Sequence, residues 1–334
     1  MTLRDDLQAI ADDSDFSGVV VVSRDGRRLA ELARGFADRA NERPIALETR
    51  FGVASVVKGL TALTVVSLIE SGDLAFDTPI RSLIADRLPL VDPAVTIEQL
   101  LAHTSGIGDY LDEDALDDID DYVMGIPVHQ LAGPQDYLAI LDGYPQRSAP
   151  GASFAYNNGG YVLLSIVAEL ATGRSYYDLV QERVLEPAGM GDTAFERSDR
   201  LPPGAALGYL EDGRTNVLHL PVRGAGDGGA YTTVRDLESL WQALFAGRIV
   251  PPAVVERMVE PRNRSTDGRR YGLGFWLGSE RATVILEGMD AGVSCWTAFD
   301  PPTGVTYVVV SNTSSGAWPL ATHLDQQLAT LGSD

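Results

Sequence analysis

Strand signals lie at the two ends of this chain, and helix signals fill the stretch between them. Near the N-terminus, FSGVVVVSRDGRRLAELARGFAD reads as two apolar, partly alternating runs around Asp25-Gly26, which predicts a hairpin. After about residue 205, YGLGFWLG, ATVILEG, GVSCWTAFDP and VTYVVVSN predict further strands, with a turn at Pro301 to Gly304. The two sets can share one antiparallel sheet, and the middle of the chain then forms an insertion. The expected fold class is α+β: an antiparallel sheet flanked by terminal helices near 3–12 and 317–331, with an inserted, mostly helical domain. The expected division is a sheet domain of residues 1–70 and 205–334 and a helical domain of residues 71–204.

Within that frame, VVKGLTALTVVSLIE predicts a helix from Ser55 to about Ser71, stopped by Gly72. It is apolar almost all round, as buried helices are. TIEQLLAH starts with a possible cap at Thr96, GGYVLLSIVAELATG is a helix that stops at Gly173, and YYDLVQERVLEPAGM is another, ended by Pro187 and Gly189. GAGDGGAYTTVRDLESLWQALFAG is a Gly-rich turn followed by a helix. The acidic stretch DEDALDDIDDY is expected to be a solvated loop or helix face, and it could rim a cleft together with the loop 125–150.

The net charge of −21 excludes nucleic acid and anionic membrane as partners, since both require basic patches. No run is apolar enough to span a bilayer, and the first residues lack the pattern of a signal peptide, so a cytoplasmic location is expected. The one cysteine, Cys295, lies in an apolar strand-like segment and reads as structural.

The chain has a single lysine among its 26 Lys and Arg residues. Arginine stays protonated in proteins, whereas a buried lysine can lose its proton and act as a base. Codon bias with one lysine left by chance is the alternative. Lys58 stands three residues after Ser55, so on a helix the amine and the hydroxyl share a face. Ser55 falls at the helix start, where N–H groups and the dipole favour developing negative charge. Bringing a lysine from about 10.4 to near 7 requires roughly 4–5 kcal/mol of destabilisation of its charged form, which burial can provide. A capping serine and a snorkelling lysine would give the same spacing. Downstream, Tyr156-Asn157-Asn158 precedes a helix, so a phenol and an amide two apart can face one cleft. A half-buried tyrosine followed by capping asparagines is the competing explanation.

Together these segments resemble a known family. Ser55-Val56-Val57-Lys58, with FGVAS before it and GL following, is similar to the Ser-x-x-Lys of serine β-lactamases and penicillin-binding proteins. LLAHTSGI (Leu100 to Ile107), the Tyr-x-Asn of Tyr156 and Asn158, and GDGGAYTTVRDL resemble the branch holding class C β-lactamases, D-aminopeptidases and esterases. The resemblance runs from about residue 16 to 315. It implies the β-lactamase-like fold and no cofactor, with a small-molecule ester, amide or lactam as substrate. Ser55 would attack an acyl carbon, Lys58 would take its proton directly or with Tyr156 as shuttle, and Asn158 would orient Lys58 or a substrate amide. The oxyanion hole would come from the Ser55 N–H and a second N–H on an edge strand.

The family's third motif, Lys or His, any residue, then Gly, is where this sequence departs. The nearest segment is LEGMDAGVSCW, with Met289-Asp290-Ala291-Gly292, and Met289 stands where the cation or imidazole is expected. A thioether cannot hold a carboxylate, and Asp290 would repel one. Backbone donors near Ala291 to Val293 could still serve the oxyanion hole. The expected function is a serine hydrolase acting on an uncharged ester or amide. A true β-lactamase, a D-amino-acid peptidase and a non-catalytic binding protein on the same fold are the alternatives. His103, within LLAHTSGI, is expected to bond a nearby loop. His129, His219 and His323 are scattered without metal-ligand spacing, so no metal is expected.

Overall fold

A computed structural model describes residues 2–113, 116–266, 268–278 and 282–331. Asp114 and Ala115 of the acidic stretch lie outside the described residues. Helix α1 (Leu3–Asp13) is closed by a capping box at Thr2 and leads into β1 (Gly18–Arg24) and β2 (Arg27–Arg34). The C-terminal half supplies β3 (Asn263–Arg264), β4 (Arg270–Tyr271), β5 (Trp276–Leu277), β6 (Val284–Asp290), β7 (Val293–Asp300) and β8 (Val305–Ser311). These eight strands form one antiparallel sheet in the order β2-β1-β8-β7-β6-β5-β4-β3. The two ends of the chain meet at β1 and β8, where Val19 faces Val310 and Val21 faces Val308.

Strand periodicity explains why β1 and β8 are apolar throughout. Successive side chains point to opposite faces, and here both faces are covered. Val19, Val21, Val308 and Val310 enter the larger core, while Val20, Val22, Tyr307 and Val309 enter the smaller one. Helix α1 and the last helix (Trp318–Leu331) cover the second face, as the terminal signals predict. The first face packs on the helical part of the chain. Its centre is α2 (Val57–Glu70), buried from Val57 to Leu68, which explains the all-round apolar sequence. Alongside lies α3 (Asn158–Thr172), capped by the Asn157 side chain and ended by left-handed Gly173. Helix α4 (Val234–Phe245), capped by Thr233, packs against β1 and β8.

Two predicted elements are broken by local chemistry. YGLGFWLG forms only β4 and β5, because Gly274 is left-handed (φ 90°) and a Cβ there would meet the Ala62 Cβ at 2.3 Å. In YYDLVQERVLEPAGM the helix Tyr176–Val180 widens into a π turn over Gln181–Leu185 before Glu186–Ala188. Pro187 has no N–H for the regular ladder. Among the described residues, no helix is long and apolar enough to cross a membrane.

Candidate active site

Ser55 sits in a tight turn, Ala54–Val56, between the short strand Phe51–Gly52 and α2. That strand pairs with Tyr231–Thr232, and the Val53 N–H donates to the Ala230 carbonyl at 3.1 Å, so the turn is anchored on the segment after the Gly-rich loop. Ala54 is left-handed (φ 43°). For an L-residue that costs about 1–2 kcal/mol, and the surrounding pairing holds it in place. The result is a serine lifted out of the strand at the start of a buried helix.

One turn later, Lys58 is buried. Its Nζ donates to Ser55 Oγ at 2.7 Å, to Asn158 Oδ1 at 2.7 Å and to the Asp227 carbonyl at 2.9 Å. Burial lowers its pKa; the carboxylates of Asp227, Glu113, Asp109 and Asp290 oppose the shift without cancelling it. Asn158 is held by its other contacts. Its Nδ2 donates to the Leu111 carbonyl at 3.1 Å and to Glu113 Oε1 at 2.9 Å, which turns Oδ1 towards Lys58. Its backbone N–H and that of Gly159 donate to the Asp109 carboxylate, which caps α3. Burial raises the Asp109 pKa to about 6.

Tyr156 lies on the other side of Ser55. Its ring centroid is 4.9 Å from Lys58 Nζ, and Tyr156 and Ser55 line the same groove. Burial, with Glu113 adding to it, raises its pKa well above the usual value, so the phenol is neutral around pH 7. Of the two groups expected to act as base, Lys58 therefore carries the shift in the useful direction, and Tyr156 is suited to passing a proton. His103 sits behind Tyr156 with ring centroids 4.5 Å apart, and its Nδ1 accepts the Asn157 N–H at 3.1 Å. It bonds the Tyr156–Asn158 loop and stays neutral because burial lowers its pKa.

The expected third-motif residues separate into different surroundings. Met289 is 41 % exposed at the lip of the cleft. Asp290 lines the cavity beside Asn158, and burial pushes its pKa up to about 7. The donors near Ala291 and Gly292 are already used: the Ala291 N–H donates to Asp290 Oδ1 and the Gly292 N–H to Ser314 Oγ. The glycine that touches Ser55 is Gly288. A Cβ there would lie 2.4 Å from the Val53 carbonyl oxygen and 2.7 Å from the Ser55 nitrogen. Two positions earlier stands buried Leu286, so neither Leu286 nor Met289 offers a cation.

The backbone register points to the second donor. Ala291-Gly292 is a two-residue hairpin loop, so Asp290 and Val293 close it as a hydrogen-bonded pair. Alternation then directs the Met289 N–H away from β7. On that edge β5 pairs with β6 only at Val284 and Ile285, which leaves the strand open beside Ser55.

No signal in the sequence marks Asp227 as a partner of Lys58. Its carbonyl holds the amine while its carboxylate accepts from the Tyr110 hydroxyl. Only the GDGG segment marked that loop. Cys295 is buried in the sheet core, where burial pushes its thiol up, away from nucleophilic use. Among the described residues, no group of three or more His, Cys, Asp or Glu could hold a metal ion.

Asp290 gives a stability prediction. A carboxyl whose folded pKa exceeds its unfolded value stabilises the fold while protonated. That contribution is complete below about pH 4 and is lost as pH rises through about 7. Asp290→Asn should therefore raise Tm at pH 8 and leave it near the wild-type value at pH 4. The same Tm difference at both pH values would show that Asp290 does not titrate in the fold.

The Beta-lactamase family model matches residues 3–331. A penicillin-binding protein of Bacillus subtilis (strain 168) is 30% identical over 291 residues, 81% of this chain, and the chain spans only 61% of that protein's length. Esterase EstB of Burkholderia gladioli is 35% identical over 219 residues, 64% of this chain and 55% of the esterase. A solved penicillin-binding protein from Bacillus halodurans has a TM-score of 0.90 at 35% identity, covering 96% of this chain and 99% of that one. The D-amino acid amidase from Ochrobactrum anthropi SV3 shares the fold, with a TM-score of 0.81 at 22% identity over 98% of both chains.

Proposed function

The chain belongs to the beta-lactamase family, and from that we propose that it is a serine hydrolase cleaving an ester or amide through a Ser55 acyl-enzyme. The observation that carries this reading is the set of contacts around Lys58 Nζ. A neutral amine has two N–H groups and one lone pair. Asn158 Oδ1 and the Asp227 carbonyl can only accept, so they take the two N–H groups. The lone pair is left for the Ser55 hydroxyl, 2.7 Å away. A protonated Lys58 instead donates to all three.

In the first step the Ser55 oxygen bonds to the acyl carbon, and Lys58 takes the hydroxyl proton. The N–H groups of Ser55 and Met289 stabilise the oxyanion. The C–O or C–N bond then breaks, and the leaving group receives a proton through Tyr156. Water attacks the acyl-enzyme by the same route in reverse and releases the acid.

The charge around the cleft supports an uncharged or cationic substrate. Glu113, Glu196, Asp227 and Asp290 line the cavity beside Asn158, and among the described residues no Lys or Arg lines it. The carboxylate of a β-lactam would meet like charge there, which disfavours the lactamase reading. The relatives named penicillin-binding protein, esterase and amidase all fit acyl transfer, and the complete Ser-Lys-Tyr-Asn arrangement speaks against a purely binding role.

Steady-state hydrolysis of short p-nitrophenyl esters and of a chromogenic cephalosporin tests the assignment. The expected outcome is turnover of the esters that disappears in Ser55→Ala, with little or no cephalosporin turnover. Rapid cephalosporin hydrolysis would move the assignment to a β-lactamase. Activity on neither, with no adduct from a fluorophosphonate, would leave a binding role.

A further inference from the structure

Two cavities meet at Ser55. One, beside Asn158, is tight, about 60 Å³. The other is about 550 Å³ and is walled by aromatic rings. Three of the chain's four tryptophans, Trp276, Trp296 and Trp318, line this second groove together with Phe154 and Tyr156. The wall is built from distant segments: β5, β7, the start of the last helix and the loop before α3.

We propose that this groove holds the leaving group of the substrate and selects a neutral aromatic one. The proposal rests on the Ser55 acyl-enzyme reading. The leaving group must depart on the side of the acid that protonates it, and Tyr156 lines the Trp groove but not the cavity beside Asn158. The acyl part then occupies the tight cavity with Asn158. The aromatic surfaces are fixed in place. The Tyr156 ring stacks on Trp276 at 5.9 Å and 14°, and the Trp296 Nε1–H donates to the Tyr307 hydroxyl at 3.1 Å. Trp318 meets Trp296 edge-on at 6.3 Å. Rings held this way offer flat surface with little ordering cost on binding.

Charge narrows the occupant. Asp112, Glu113 and Glu287 line the groove; Arg269 is 2.6 Å from Glu287 and lies over the Trp276 ring, and Arg147 is 2.8 Å from Asp112. With Glu287 and Asp112 each engaged by an arginine, the carboxylate of Glu113, which has no ion-pair partner among the described residues, disfavours an anionic leaving group.

Two acetate esters test this, since they share an acyl group and differ only in the alcohol. Benzyl acetate and cyclohexylmethyl acetate release alcohols of similar size and basicity, one flat and one puckered. The wild-type protein should favour the benzyl ester about 5–10-fold in kcat/KM, the range of an aromatic contact. Trp296→Leu and Trp318→Leu should each reduce that preference, and Trp296→Phe should retain it. 4-Carboxybenzyl acetate should be a poorer substrate than benzyl acetate. For ethyl phenylacetate against ethyl cyclohexylacetate, where the ring lies on the acyl side, the same variants should leave the preference unchanged. Tm scans identify any variant that fails to fold, and the remaining variant then decides. A benzyl preference that survives in the folded Leu variants overturns the proposal. So does a variant effect that follows the acyl pair instead. Failure of the underlying reading has a different signature: no acetyl mass on Ser55 of the wild-type protein with either ester.

Discussion

Lys58→Arg should lower kcat/KM by about 100–10,000-fold, the usual worth of a positioned general base. Arginine keeps N–H donors near Asn158 Oδ1 and the Asp227 carbonyl and places a permanent cation beside the buried carboxylates. What it removes is the ability to give up a proton near neutral pH. Steady-state rates with a p-nitrophenyl ester, alongside Tm for both proteins, separate lost chemistry from lost folding. A structural role for Lys58 predicts a large drop in Tm and a proportionate loss of active protein. The base role predicts that folded Lys58→Arg protein loses the wild-type rise of kcat/KM with pH. In Lys58→Ala, small primary amines added to the buffer should restore part of the rate, because the cavity left behind adjoins Ser55 Oγ.

Gly288→Ala should lower kcat by about 100–1,000-fold, the cost of losing one oxyanion-hole donor. One methyl group suffices because it would lie 2.7 Å from the Ser55 nitrogen and 2.4 Å from the Val53 carbonyl oxygen. Both neighbours are backbone in an anchored turn, so the strand must move away and carry the Met289 N–H with it. The added strain is of the order of 1–3 kcal/mol, which a domain with so large a core can absorb. The expected pattern is a fall in kcat with little change in KM and a slower reaction with fluorophosphonate. An alanine variant with wild-type kcat would mean that the β6 edge does not form the oxyanion hole. Gly292→Ala is the contrast. Gly292 is left-handed (φ 70°) and packs on Tyr209, so its replacement should reduce stability more than turnover.

The sheet was legible in the sequence because its strands are made by period-two packing, which is local. The same holds for α2, whose all-round apolar surface announces burial, and for α3, with Asn157 before it and Gly173 after it. The Ser55 and Lys58 pair was legible because one helical turn fixes their distance. Tyr156 and Asn158 were readable as residues but not as neighbours, since nothing local brings a loop 100 residues away onto Lys58. Asp227 was missed for a related reason: it contributes a backbone carbonyl, which every residue possesses. The third motif shows the limit most sharply. Sequence places Gly288 and Gly292 four residues apart on one segment, and either could be the glycine of the family pattern. Contact decides, because only Gly288 lies against Ser55, while Gly292 turns a hairpin. The aromatic groove was invisible because its tryptophans come from three segments that meet only in the folded sheet.

The most direct test is the pH dependence of Ser55 acylation, read by the rate of fluorophosphonate labelling and by mass mapping of the labelled peptide. On the proposed mechanism deprotonation of Lys58 activates Ser55, and burial lowers the Lys58 pKa. Labelling should fall on the peptide containing Ser55, and its rate should rise with an apparent pKa well below the 10.5 of an ordinary lysine. Lys58→Arg should abolish the rise. A label on another residue, or a rate that climbs only near pH 10, is incompatible with a buried neutral Lys58 as the base for Ser55.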